Sequence, residues 1–313
     1  MQFRTQIPIP KGKALLDYNS KVVSLGSCFA VNMAEKLDYF KFQNSCNPFG
    51  IIFNPVSIEK LIRLVVSEKQ FMEEDVFFHN ERWHCFDVHS DLSSNSKEEL
   101  LTTLNTILKA AKEQVQEASH VIITYGTSWV YRALETNAIV ANCHKVPQKQ
   151  FRKELLAVDT MANSIANTIE LIQAVNPEAK FIFTVSPVRH IKDGFIENQL
   201  SKSHLIAAIH DSRFTIHDYF PSYEIMMDEL RDYRFYKEDM LHPSALAVDY
   251  IWERFKETNI AEIGYETMDA VATIQKSLQH RPFNPASESH QKFETNLQAK
   301  ISKMVSQYSF MKF

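Results

Sequence analysis

Apolar positions along this chain fall into two alternating rhythms. Short β-branched or aromatic runs end in glycine or hydroxyl residues, and segments with helical spacing follow them. The first run leads through Leu25, Gly26 and Ser27 into Phe29, Met33 and Leu37, which predicts a strand over 21–25 and a helix over 29–37. A second strand is expected over 41–45, before the turn Asn47-Pro48-Phe49-Gly50. Pro55 then opens a helix with apolar positions at Ile58, Leu61, Ile62 and Val65. Residues 71–96 are irregular, and Ser96 caps a long helix over 97–118. Further strands are predicted over 120–125, 138–141, 180–185 and 214–217. Further helices are predicted over 152–175, 201–210, 223–231 and 244–255, and Asn176-Pro177 stops the first of these. After residue 257 two long helical patterns are separated by a break over 280–285.

Strands alternating with helices over the first 255 residues argue for an α/β sandwich with a mostly parallel sheet. Sites in such sheets lie at the carboxyl ends of the strands, where Ser27, Thr127 and Ser186 are expected. The division that follows is a main domain over 1–260 and a helical C-terminal extension over 261–313 packed on it. Those last helices either cover part of the core or form the contact of a homodimer.

Composition narrows the function classes. A formal net charge of -4 over 313 residues predicts no nucleic-acid partner and no anionic membrane surface. No apolar run approaches the length of a membrane span, and the N-terminus has no apolar signal region. Cys28, Cys46, Cys85 and Cys143 are scattered, which fits reduced thiols in a cytoplasmic protein. Glycine is scarce: there are 6, against roughly 22 at average usage. Gly26, Gly50 and Gly126 therefore mark places where the backbone needs glycine. Gly26 and Gly126 both end strands and precede hydroxyl residues.

Candidate chemistry starts at Ser27. A strand that ends in Gly-Ser and turns into a helix puts a small nucleophile at a strand tip, facing the free N–H groups of the new helix. Such a nucleophile needs a base and the base an orienting carboxylate. Asp239 and His242 offer an Asp-x-x-His pair on one loop before a helix. Cys28 stands beside Ser27 but cannot face the same base, and is read as a packed thiol.

The segment Gly26-Ser27-Cys28-Phe29-Ala30 resembles the signature of the GSCFA family. Asn47–Gly50, VANCHK over 140–145, TVSPVRH over 184–190, NQLSK over 198–202 and residues 228–244 resemble that family's other blocks. The GSCFA family is in turn similar to the SGNH/GDSL hydrolases. That resemblance implies a three-layer α/β/α sandwich and a serine hydrolase or acyltransferase that needs no cofactor. It implies Ser27 as nucleophile, His242 as base and Asp239 as the acid orienting it, acting on a small-molecule or carbohydrate ester such as an O-acetyl sugar. Gly126 matches the glycine of the superfamily's Gly-x-Asn-Asp block. The asparagine of that block, an oxyanion donor, is replaced by Ser128. The substitutes considered are Thr127, Ser128, Asn47 and Asn142, with the backbone N–H groups of Ser27 and Gly50. Arg189 and His190, with Arg231 and Arg234, are expected around the same mouth, and Trp129, Tyr131, Phe220 and Tyr223 either line a carbohydrate-sized cleft or belong to the core. Two other readings stay open: a non-catalytic carbohydrate- or acyl-binding protein, motivated by the missing asparagine, and a metal-dependent hydrolase built on His79, His84, Cys85, Asp87 and His89. The spacing of the last group fits no standard metal site.

Overall fold

The computed structural model describes residues 5–67, 69–211 and 217–313. Five strands form one parallel sheet: β1 Lys21–Gly26, β2 Gln43–Cys46, β3 His120–Tyr125, β4 Lys180–Val185 and β5 His217–Phe220. Their spatial order is β5-β4-β3-β1-β2, and every pairing is parallel. The order reverses between β1 and β3, so the crevice beyond their carboxyl ends is where a doubly wound sheet places a ligand.

Alternate residues of the strands inside the sheet feed two different cores. Val23, Val121, Ile123, Tyr125, Phe181 and Phe183 face helices α2 (Pro55–Val66), α3 (Lys97–Glu117), α4 (Val158–Val175) and α5 (Phe195–Ile209). Val22, Ile122, Ile182 and Phe220 face α1 (Cys28–Tyr39), α6 (Ala245–Asn259), α7 (Tyr265–Leu278) and α8 (Glu288–Gln307). This is a three-layer α/β/α sandwich. Period-2 strands with both faces apolar are buried on both sides, as a parallel sheet requires.

The C-terminal helices lie on the second core, to which Met268, Val271, Ile274, Leu297 and Met304 contribute. The N-terminal arm is pinned there too. Leu16 bridges to Ile260, and the Gly12 N–H donates to Thr258 O at 2.8 Å. Among the described residues no helix is long and apolar enough to cross a membrane.

Several elements differ from the sequence reading. The helix expected over 152–175 begins only at Val158; Phe151–Leu155 is instead a strand paired antiparallel with Trp129–Ala133. Arg132 pairs with Glu154 across that ladder at 2.5 Å, so tertiary pairing overrides a local sequence that suits a helix. Helix α5 starts at Phe195, six residues before the expected start. The helix expected over 223–231 is one short turn, Ser222–Glu224, followed by a π-helical turn, Ile225–Glu229. The strand expected over 214–217 lies mostly outside the described residues, and β5 runs over His217–Phe220. The irregular stretch over 71–96 contains a small hairpin, Phe77–His79 with Arg82–His84.

Candidate active site

β1 ends at Gly26, whose φ of 131° is open to glycine and strained for other residues. A Cβ there would lie 2.1 Å from the carbonyl oxygen of Thr124 on β3. Close approach of β1 to β3 thus fixes glycine immediately before Ser27. Ser27 is the N-cap of α1: its Oγ accepts from the Phe29 N–H at 3.2 Å, and the residue is 2% exposed. An N-cap serine serves its helix without any chemistry, so the surroundings must decide whether it does more.

Asp239 and His242 sit on a loop whose ends are tied together by the Lys237 N–H donating to His242 O at 2.8 Å. The Asp239 Oδ2 meets His242 Nδ1 at 2.6 Å, and Oδ1 accepts from the Leu241 and His242 N–H groups at 2.9 and 3.0 Å. The two backbone donors and the ring hold the Asp239 carboxyl down to about 2. A carboxylate that stays ionised and grips Nδ1 leaves Nε2 as the free nitrogen, which is the tautomer a general base needs. No hydrogen bond joins His242 to Ser27 in this arrangement. The loop is tied instead to the segment after β4, where the Arg189 N–H donates to Leu241 O at 3.2 Å.

His242 lines a cleft of about 320 Å³ with Phe53, Thr127, Trp129, Tyr131, Lys153, Arg189 and His190. Lys153 lies over the Trp129 ring at 5.1 Å, and Arg189 over Phe195 at 5.2 Å. The His190 ring stacks on Phe53, and its Nε2 is buried without a partner. Burial, with Lys202 and His242 nearby, pushes this imidazole down to about 3, so it is neutral at ordinary pH.

The proposed donors separate sharply. The Ser27 N–H is spent on Thr124 O at 3.0 Å and the Gly50 N–H on Asn47 O at 2.8 Å, so neither expected backbone donor is free. Ser128 is fully buried, with its N–H and hydroxyl both bonded to Ser201. It is a structural clamp, because a position 128 side chain here packs into α5. Thr127 shares a 2.8 Å hydrogen bond with Ser201 Oγ and still lines the cleft. The Gly126 N–H goes to Phe53 O at 2.8 Å. Asn142 belongs to a different pocket with Asn80, Arg82, His84 and His144, so it does not join His242. Asn47 is different. Its Oδ1 accepts the Gly26 N–H at 2.7 Å, its N–H donates to Ser24 O, and its carbonyl receives Gly50; only Nδ2 is left, buried and without a partner, and the residue lines the small cavity beside Gly26 rather than the His242 cleft. The Gly26 donor fixes which end of that amide is oxygen.

The other expectations resolve plainly. Arg231 pairs with Asp228 and Arg234 with Asp232, so neither serves the cleft. Phe220 and Tyr223 are core. Burial pushes the Cys28 thiol up. Both ring nitrogens of His84 are occupied, by Ser93 Oγ and His79 O, while Asp87 pairs with Lys60 and His89 with Asp91. No group of three His, Cys, Asp or Glu among the described residues is placed to hold a metal ion. Sequence reading missed Phe53 and Lys153 in the cleft, and it missed the structural importance of Asn198, Ser201 and Lys202. The last three had a signal: polar residues at i, i+3 and i+4, which share one face of a helix.

No curated protein matches the chain. A family model described as GSCFA domain protein, C-terminal domain, matches residues 271–313, from within α7 through α8. The model described as the GSCFA family matches residues 21–255, from the first residue of β1 through most of α6, and by that match the chain belongs to the GSCFA family.

Proposed function

We propose that this chain is a serine-dependent esterase or acyltransferase of a short acyl group on a carbohydrate-sized alcohol. The Asp239–His242 pair carries the reading: a 2.6 Å contact to Nδ1, with Nε2 free, at the mouth of a cleft beyond the sheet's carboxyl edge. In this mechanism His242 takes the proton of Ser27 as the hydroxyl attacks an ester carbonyl, and an acyl-enzyme forms. Water or an acceptor hydroxyl then resolves it. Catalytic hydrogen bonds are often long before substrate binds, so the Ser27–His242 bond forms in the complex. Asn47 Nδ2 is the donor assigned to the oxyanion, since the neighbouring N–H groups are engaged.

A short acyl group suits this reading, since the apolar cavity beside Gly26 and Asn47, about 30 Å³, is far too small for a fatty chain. Trp129 and Tyr131, with Arg189 and Lys153, suit a sugar or another polar alcohol in the larger cleft. The four cysteines are free, in keeping with a cytoplasmic location. Turnover of aryl acetates and of O-acetylated sugars by wild type and Ser27→Ala tests the reading. Ser27→Ala loses a helix cap worth about 1 kcal/mol and should stay folded, but its turnover should vanish; retained turnover refutes the assignment.

The absent Ser27–His242 bond and the engaged Ser27 and Gly50 N–H groups favour a second reading, a non-catalytic binder of acylated carbohydrate. It predicts saturable binding by wild type, no turnover of any acyl ester, and the same affinity in Ser27→Ala.

A further inference from the structure

Lys202 is 0% exposed and no carboxylate hydrogen-bonds to it. A buried ammonium without a paired acid is costly and rare in a fold that has no use for it. Its Nζ donates to Gly126 O at 2.6 Å and to Ser186 O at 2.8 Å. These carbonyls belong to the first residues after β3 and β4, the strands flanking the crevice on one side. One turn earlier on the same face of α5, Asn198 is 3% exposed and its Oδ1 accepts the His190 N–H at 2.7 Å. Between them Ser201, 2% exposed, bonds Thr127 Oγ1 and both polar groups of Ser128. The Trp129 indole donates to Glu197 O, again on α5, at 3.2 Å.

One buried helix face therefore holds both walls of the cleft. The segment over 126–129 supplies Thr127 and Trp129, and the segment over 186–190 supplies Arg189 and His190. Ser128 on the first wall is spent wholly on α5. The titratable groups around Lys202 are Cys28 at the start of α1, Glu224 on the turn after β5, and His190. The Tyr223 ring faces it at 5.5 Å.

We infer that Lys202, with Asn198 and Ser201, is a positioning group that locks the two cleft walls in register for the acyl-transfer site, an inference that rests on the reading above for the chemistry it positions. Lys202 touches no substrate and acts through the Gly126 and Ser186 carbonyls. Misplacement by a fraction of an ångström at such walls is felt in the chemical step more than in binding.

Lys202→Met keeps the length of the stem and removes the donors. Two measurements on the full chain test the inference. The first is amide hydrogen exchange: protection should fall at residues 127–129 and 188–190 while the strands of the sheet keep theirs. The second is turnover, normalised to the serine labelled by a fluorophosphonate: kcat should fall at least about 30-fold with KM within about threefold. Unchanged exchange in both segments overturns the inference whatever the activity does. Loosened segments with unchanged kcat overturn the link to the chemistry. If Ser27→Ala shows that serine chemistry is absent, the exchange measurement alone decides whether the walls are pinned. If Lys202→Met does not fold cooperatively, Asn198→Ala is measured in the same way and should loosen 188–190 alone; exchange unchanged there overturns the inference.

Discussion

Asp239 spends both carboxylate oxygens on one loop: two backbone donors on Oδ1 and the His242 ring on Oδ2. The carboxyl is thereby held down to about 2, and it remains ionised through any assay between mild acid and alkaline pH. This has a consequence for a single substitution. Asp239→Asn keeps an acceptor for the backbone donors and turns an uncharged amide N–H toward Nδ1. The imidazole is then free to take the other tautomer, and the imidazolium formed during acyl transfer loses its counter-charge. In serine hydrolases that change costs on the order of 10⁴ in kcat. The expected outcome here is a loss of at least about 100-fold in kcat with little change in thermal midpoint, because the pair is exposed and its bond contributes little to stability. A loss below about tenfold, measured on the ester that Ser27→Ala fails to turn over, removes Asp239 from the proposed mechanism.

Helices and strands decide which residues reach the crevice. Asn54 caps α2 through a buried double contact with Ser57, its Oδ1 accepting the Ser57 N–H and its Nδ2 donating to Ser57 Oγ, both at 2.9 Å. It also lines the cleft beside Phe53. Asn54→Ala removes the cap and leaves the Ser57 N–H unsatisfied in a buried place, so stability should drop by about 1–2 kcal/mol in urea unfolding; a change under about 0.5 kcal/mol contradicts the role given to this cap. Elements of this kind were readable in the sequence: Pro55 after an asparagine, Ser96 before α3, and Ser244 before α6 all mark real helix starts. Strands β1, β3 and β4 were readable because their two apolar faces are both buried. Phe151–Leu155 was not, since Arg152, Lys153, Glu154 and Leu155 suit a helix and only pairing with Trp129–Ala133 makes them a strand. The site divides in the same way. Local spacing disclosed the Asp239–His242 pair. The engagement of the Ser27 and Gly50 N–H groups, and the burial of Ser128 against α5, come from contacts between segments far apart in sequence, which spacing does not encode.

At the scale of the whole molecule, the histidines set the response to acid. His84, His120, His144 and His190 are all pushed below the ordinary imidazole value, in each case chiefly by burial; His144 is brought to about 4 and His190 to about 3. They lie in different layers: His120 at the start of β3, His84 and His144 with rings 4.8 Å apart beside the small hairpin, and His190 under the cleft. In the unfolded chain each takes up a proton near pH 6.5. In the folded chain each stays neutral to a lower pH than that, His144 and His190 to about 4 and about 3. Between the two values the unfolded state binds more protons, so stability rises with pH there and falls as the pH drops from about 6.5 toward 4. Lys202 adds a second window of the same sign. Its folded value is about 7 and its ordinary value 10.5, so the unfolded chain again holds the extra proton and stability climbs as the pH rises from about 7 to about 10. Asp239 and the other carboxylates with lowered values act only at more acid pH, where their contribution is lost as they are protonated. Measured between about pH 5 and pH 7.5, before those carboxylates matter, the thermal midpoint should climb steadily. Replacing His144 and His190 together by glutamine should make that climb shallower, because glutamine takes up no proton on unfolding, while the other lowered histidines keep part of it. A midpoint that is level or falls over this range in the wild-type protein would mean that these imidazoles are protonated in the folded state, and so that the walls around them admit water and charge.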